Sequence, residues 1–174
     1  MSVLLITSDG ACRGNGSLNS LGGYGVVLRY GEAVKELKGS EFNTTNNAME
    51  ILAATKGLAA VTDKSKRAML ISDSAYVINC LKSKWYIKWR ANNWKNAKNE
   101  PVKNKQLWAD LLEQSEQFSQ LVFKHVKGHS GDVDNERCDA LANEAMDEVT
   151  RVNMLKDAIY GNEPTYDGEI NYEQ

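Results

Sequence analysis

Apolar positions along the chain follow two rhythms, and the first gives way to the second near residue 44. Residues 3–8 form a short apolar run that stops at Asp9-Gly10, and 22–30 and 32–39 are further strand-like stretches joined by short turns. The first forty residues therefore predict a three-stranded meander. From Thr44-Thr45-Asn46-Asn47, which offers capping side chains, Met49, Leu52, Ala53 and Leu58 recur at helical spacing, with Gly57 near the end. Residues 67–72 predict a fourth strand, and 74–82 a helix with Tyr76, Val77, Cys80 and Leu81 on one stripe. A helix over about 104–118 is expected to face Leu107, Trp108, Leu111 and Leu112 inward, and 121–127 form the last strand. After a loop at 128–132, Asp134 is expected to cap a helix on which Cys138, Leu141, Ala142, Ala145, Met146 and Val149 recur every three or four residues. Three strands, then helices alternating with two more, predict one α/β domain over residues 1–150 with a sheet of mixed direction. Beyond residue 153 the periodicity fades, so 151–174 are expected to form an extended tail.

Composition narrows the class. A length of 174 residues suits a single core, and 42% hydrophobic with 25% charged residues is ordinary for a globular protein. No apolar run approaches the roughly 20 residues that cross a bilayer, so no membrane partner is expected. The start, Met1-Ser2-Val3, has neither a basic region nor a small-residue cleavage site, and the cytoplasm is the expected compartment. Cys12, Cys80 and Cys138 are odd in number and include no Cys-x-x-Cys pair, which argues against a disulfide framework or zinc cluster. A monomer is the simplest expectation. Net charge is −2, but it is uneven: residues 155–174 hold one base and five acids, leaving the rest mildly basic. Residues 82–105 hold eight bases against Glu100 alone, a concentration suited to phosphate backbones.

Four acids punctuate this pattern: Asp9, Glu50, Asp73 and Asp139. Asp9 and Asp73 each follow a run that reads as a buried strand, so a sheet that sets those strands side by side gathers both carboxylates at one edge. Carboxylates gathered this way repel unless a cation sits among them. Hard divalent ions take oxygen ligands, and ion pairs roughly 3.5–4 Å apart serve in-line cleavage of phosphodiesters. The chemistry expected is that of a metal-dependent nuclease.

Six phrases then carry a resemblance. Ser-Asp-Gly-Ala-Cys-Arg-Gly-Asn (8–15), Gly-Gly-Tyr-Gly (22–25), Thr-Thr-Asn-Asn-Ala-Met-Glu (44–50), Ser-Asp-Ser (72–74), Val-Lys-Gly-His-Ser-Gly (126–131) and Asn-Glu-Arg-Cys-Asp-Ala-Leu-Ala (135–142) closely resemble bacterial ribonuclease HI in wording, order and spacing. The resemblance covers about residues 1–149. It implies the ribonuclease H fold, a five-stranded mixed sheet flanked by helices, with three antiparallel strands followed by two parallel ones. It also implies endonucleolytic hydrolysis of the RNA strand of an RNA/DNA hybrid, leaving 5′-phosphate and 3′-hydroxyl ends. By the same resemblance Asp9, Glu50, Asp73 and Asp139 match the metal-binding carboxylates of two Mg2+ ions, for which Mn2+ can substitute, and His129 matches a mobile-loop histidine. Asn15, Asn46 and Asn47 match residues gripping the minor groove of the hybrid, and Cys12 a position contacting its backbone. The stretch 82–102, with Lys84, Trp85, Trp89, Trp94 and Lys95, resembles a basic protrusion that holds the DNA strand. The chain departs from the family in a first loop that is longer and lacks proline, in Ser72 for threonine, and in Ala75 for glutamine.

Plainer readings stand beside these. Asp-Gly is a common turn, an early helical Glu complements the helix dipole, and Asp73 before Ser-Ala-Tyr suits an N-cap. His129, between glycine and serine, suits a proton carrier that reaches the reacting oxygens and withdraws, whereas His125, mid-strand, is expected to be structural. Cys12 has no partner histidine implied nearby and is not expected to act as a nucleophile. Trp85 and Trp89 lie four apart on one expected helix, so packing and nucleotide gripping are both open. The acidic tail is either inert or a nucleic-acid mimic that covers the basic surface.

Overall fold

The computed structural model describes residues 2–160. The meander is β1 (Leu4–Arg13), β2 (Leu21–Tyr30) and β3 (Ala33–Phe42), followed by α1 (Asn46–Ala59) and β4 (Arg67–Ser72). Then come α2 (Ala75–Lys82), α3 (Trp85–Ala91), α4 (Lys105–Glu116), β5 (Gln120–His125) and α5 (Val133–Tyr160). The strands form one sheet in the order β3-β2-β1-β4-β5. β2 pairs antiparallel with β1 and β3, whereas β1, β4 and β5 run parallel. This is the five-stranded mixed sheet that the sequence predicts.

Helices cover both faces, as a sheet with parallel members requires. On one face α1, α2 and α4 bury Ile51, Leu58, Val77, Trp108 and Leu111 against Ile6, Val26 and Leu70. On the other, Cys138 and Leu141 of α5 pack on Val27. Val26 and Val27 reach opposite faces because successive strand residues alternate. α5 lies so near β2 that a Cβ on Gly25 would strike the Cys138 carbonyl, and one on Gly23 the carbonyl of Ala142. Two forked ion pairs anchor this helix to the sheet, Arg29 on Asp134 at 2.9 and 2.6 Å and Arg137 on Glu36 at 2.8 Å twice.

Several boundaries differ from expectation. β1 does not stop at Asp9-Gly10, because both residues stay in the ladder opposite Gly25 and Tyr24. Asp134 does not cap α5: Asp132 does, its Oδ1 accepting the Asn135 N–H at 3.0 Å, while Asp134 is committed to Arg29. The expected tail begins inside α5, since residues 151–160 are its exposed last turns, and 161–174 lie outside the described residues. Among the described residues no helix is long and apolar enough to cross a membrane. The three thiols are unpaired, and burial pushes that of Cys80 up to about 12.

Candidate active site

The parallel register of β1 and β4 ends at Thr7 opposite Ile71. Asp9 and Asp73 each lie two residues further on, Asp9 midway along β1 and Asp73 just past β4, where the parallel ladder ends and open α/β sheets place their ligands. Glu50 reaches the same point from the first turns of α1. That helix crosses β1 so closely that a Cβ on Gly10 would collide with the backbone of Met49 and Glu50. The Gly10 N–H then donates to Glu50 Oε2 at 3.2 Å. Asp9, Glu50 and Asp73 each offer an oxygen within 4.8 Å of the others. Asp9 and Glu50 are only 7% and 6% exposed.

These carboxylates have no cationic partner: among the described residues every ion pair involves other acids. Burial, with the charges of Asp73 and Asp139 added, pushes Asp9 up to about 7. Burial together with Asp9 and Asp73 pushes Glu50 up to about 9. Three converging hard oxygen donors, two of which burial and neighbouring charge disfavour in the ionised form, fit a hard divalent cation. The plainer readings of two of these acids do not hold. Asp9-Gly10 is strand, not turn, and α2 is capped by Ser74, whose Oγ accepts from Val77 N at 3.3 Å.

Asp139 stands outside this trio, although its charge reaches Asp9. Its Oδ1 accepts from Asn143 Nδ2 at 3.2 Å, and Asn143 Oδ1 in turn accepts from Arg13 at 3.1 Å. His129 is exposed in the loop after β5 with a left-handed φ of 51°. The preceding Gly128 lies so close to the trio that a Cβ there would sit 2.6 Å from Asp73 Oδ2. His125 is at the exposed end of β5, not buried mid-strand, and its Nε2 meets the Asp73 carbonyl oxygen at 3.0 Å. Sequence reading passed over Asn135, whose Nδ2 donates to Asp73 Oδ2 at 3.1 Å. Asn135 falls on the apolar stripe of α5, three residues before Cys138, where nothing in the local sequence marks a contact to a distant carboxylate.

Beside the trio a groove of about 1070 Å³ runs from Asn15, Asn46 and Asn47 to Trp89, Asn96 and Lys103 of the basic stretch. Asn15 Oδ1 accepts the Asn46 N–H at 2.9 Å, which ties the first loop to the start of α1. The loop is closed further by Ser20, whose hydroxyl donates to the Thr44 carbonyl at 2.7 Å. Cys12 is half-buried, its Sγ 3.6 Å from the same carbonyl, and burial raises its thiol above the ordinary range, which suits no nucleophile. Ser72 Oγ accepts from Ser74 N at 3.0 Å, and Ala75 is exposed. The tryptophans divide between the two readings. Trp89 stacks on Trp94 and edge-on against buried Trp108, centroids 6.3 and 5.5 Å apart. Trp85 is 38% exposed, and with Lys88 and Lys95 it lines a hollow of about 280 Å³. Lys84 and Lys95 are exposed.

Comparison with known proteins agrees with this geometry. The family model described as RNase H matches residues 1–147. The chain is 51% identical over 148 residues to the ribonuclease H of Clostridium botulinum, covering 85% of this chain and 98% of that protein. It is 47% identical over 150 residues to the ribonuclease H of Hydrogenovibrio crunogenus, covering 86% and 99%. Among solved structures, LC11-RNase H1 in complex with an RNA/DNA hybrid superposes with a TM-score of 0.63 at 24% identity, over 84% of this chain and 99% of that one.

Proposed function

The chain belongs to the ribonuclease H family and is an endoribonuclease, and from that premise we propose that it cuts the RNA strand of RNA/DNA hybrids with two divalent cations, Mg2+ or in its place Mn2+. The observation that carries this reading is the convergence of three carboxylates, two of them buried, with no counter-charge, beside a groove lined by asparagines. Bound there, the cations would activate a water and steady the charge on the departing oxygen. Asp9, Glu50 and Asp73 would hold them, and Asp139, through its charge at Asp9, adds to the attraction.

The chain's other residues orient and confine the substrate. Asn46 and Asn47 precede Glu50 by four and three residues on α1, so one helical face presents amides to the duplex and a carboxylate to the cut. With Asn15 and Cys12 they hold the hybrid's minor groove and backbone, and neighbouring backbone groups sense the 2′-hydroxyl that marks the RNA strand. Lys84 and Lys95, with Trp85 exposed between lysines, hold the DNA strand. Trp94 packs on Trp89, which also lines the groove and is placed to meet the hybrid. Water oxygen attacks phosphorus, the bond to O3′ breaks, and His129 carries the proton to that oxygen, leaving a 3′-hydroxyl and a 5′-phosphate. The protein acts as a cytoplasmic monomer. The test is end-labelled hybrid incubated with wild type and Asp73→Asn, with and without Mg2+. Internal cuts in RNA by the wild type with Mg2+ only are expected. Binding without cutting by the wild type would leave a mere hybrid-binding module.

A further inference from the structure

Asn135 is 2% exposed, in the first turn of α5. Its backbone is fixed by the Asp132 cap at 3.0 Å, and its Nδ2 donates to Asp73 Oδ2 at 3.1 Å. Its Oδ1 is enclosed, yet it meets no hydrogen-bond donor among the described residues. Exchanging the amide's nitrogen and oxygen would set oxygen against a carboxylate, so the orientation is the favoured one. A buried acceptor without a donor is costly, and a leucine of similar volume would avoid that cost. Packing alone does not account for an amide here. Two other groups crowd Asp73: Gly128 against Oδ2 and the His125 ring at the backbone carbonyl. Among the described residues Asn135 alone reaches the carboxylate with a side-chain N–H donor.

We propose that Asn135 is a positioning residue for the cation site: its amide N–H holds the Asp73 carboxylate in a fixed orientation from a buried position on α5. The inference rests on the reading of the carboxylate trio as a metal site. Groups that orient metal ligands typically matter 10–100-fold in affinity.

The test is cation binding by the full chain without substrate, Mn2+ by electron paramagnetic resonance and Mg2+ by calorimetry, for wild type, Asn135→Leu and Asn135→Ser. Both variants are expected to bind roughly 10–100-fold more weakly. Their unfolding midpoints in EDTA are expected within a few degrees of wild type or, for Asn135→Leu, above it, with metal-free hybrid affinity unchanged. Raising Mg2+ is expected to restore much of kcat while KM for the hybrid stays constant. Should Asn135→Leu fail to fold, Asn135→Ser, which suits the first turn of a helix, carries the comparison. Wild-type affinity in the folded variants, or a loss of stability in EDTA with cation affinity intact, overturns the role of Asn135. A wild type that binds no cation overturns instead the metal reading beneath it.

Discussion

Replacing Glu50 with glutamine is expected to make the metal-free protein less sensitive to rising pH while abolishing the cutting of hybrid. Glu50 titrates at about 9 and Asp9 at about 7 in the folded protein, against 4.5 and 3.8 as ordinary values. Across that window the folded state holds protons that the unfolded chain has released. The stability they lend is complete below about pH 4 and is lost as pH rises, through about 7 for Asp9 and about 9 for Glu50. One pH unit of such a difference is about 1.4 kcal/mol, so between pH 5 and pH 8 Glu50 alone is worth up to about 4 kcal/mol. At about 2–4 °C per kcal/mol for a chain of this size, wild-type Tm in EDTA should fall on the order of 10 °C over that range. Glutamine fills the same space and keeps an oxygen for the Gly10 N–H, so Glu50→Gln should lose less than half as much. Thermal unfolding by circular dichroism in EDTA at each pH is the assay. Added Mg2+ should restore the wild type at pH 8 and leave the variant unmoved, because cation binding displaces the protons. Parallel Tm profiles for the two proteins would refute the claim that burial, with the charges of Asp9 and Asp73 added, holds this carboxyl protonated.

Three further outcomes are expected. Gly25→Ala sets a methyl against the Cys138 carbonyl and should destabilise by about 1–3 kcal/mol, read from urea midpoints; a neutral result would mean α5 can lift from the sheet at little cost. Lys84→Ala with Lys95→Ala should raise KM for the hybrid, leave kcat within about twofold, and reduce the slope of log KM against log salt by nearly one per phosphate contact removed; an unchanged slope would make these lysines mere solvated surface. Ending the chain after Tyr160 removes four acids and should leave KM at low salt unchanged, whereas a lower KM would identify residues 161–174 as a mimic of nucleic acid.

Most of the sheet was legible because each strand carries its own apolar run with a polar boundary. The misreadings arose where one residue pair serves two purposes. Asp9-Gly10 has the letters of a turn, yet glycine is there to let α1 approach β1, and the strand runs through it. Asp134 has the letters of a cap, but Arg29, more than one hundred residues earlier, claims it and Asp132 takes its place. The convergence of Asp9, Glu50 and Asp73 could be anticipated, since two follow apolar runs that pair as neighbouring strands and the third lies in the first turns of a helix. The role of Asn135 could not, because an uncharged side chain on an apolar stripe announces neither burial beside a carboxylate nor an unmet acceptor. Local spacing was equally silent on the tryptophans: Trp89 is drawn to Trp108 on α4 while Trp85, on the same helix, stays outside.

Anomalous diffraction from crystals grown with Mn2+ tests the central claim most directly. The account predicts a manganese peak within about 2.5 Å of a carboxylate oxygen from each of Asp9, Glu50 and Asp73, absent in Asp73→Asn at the same concentration. Manganese ordered elsewhere, with the trio left to hydrogen bonds among protonated carboxyls, would contradict it.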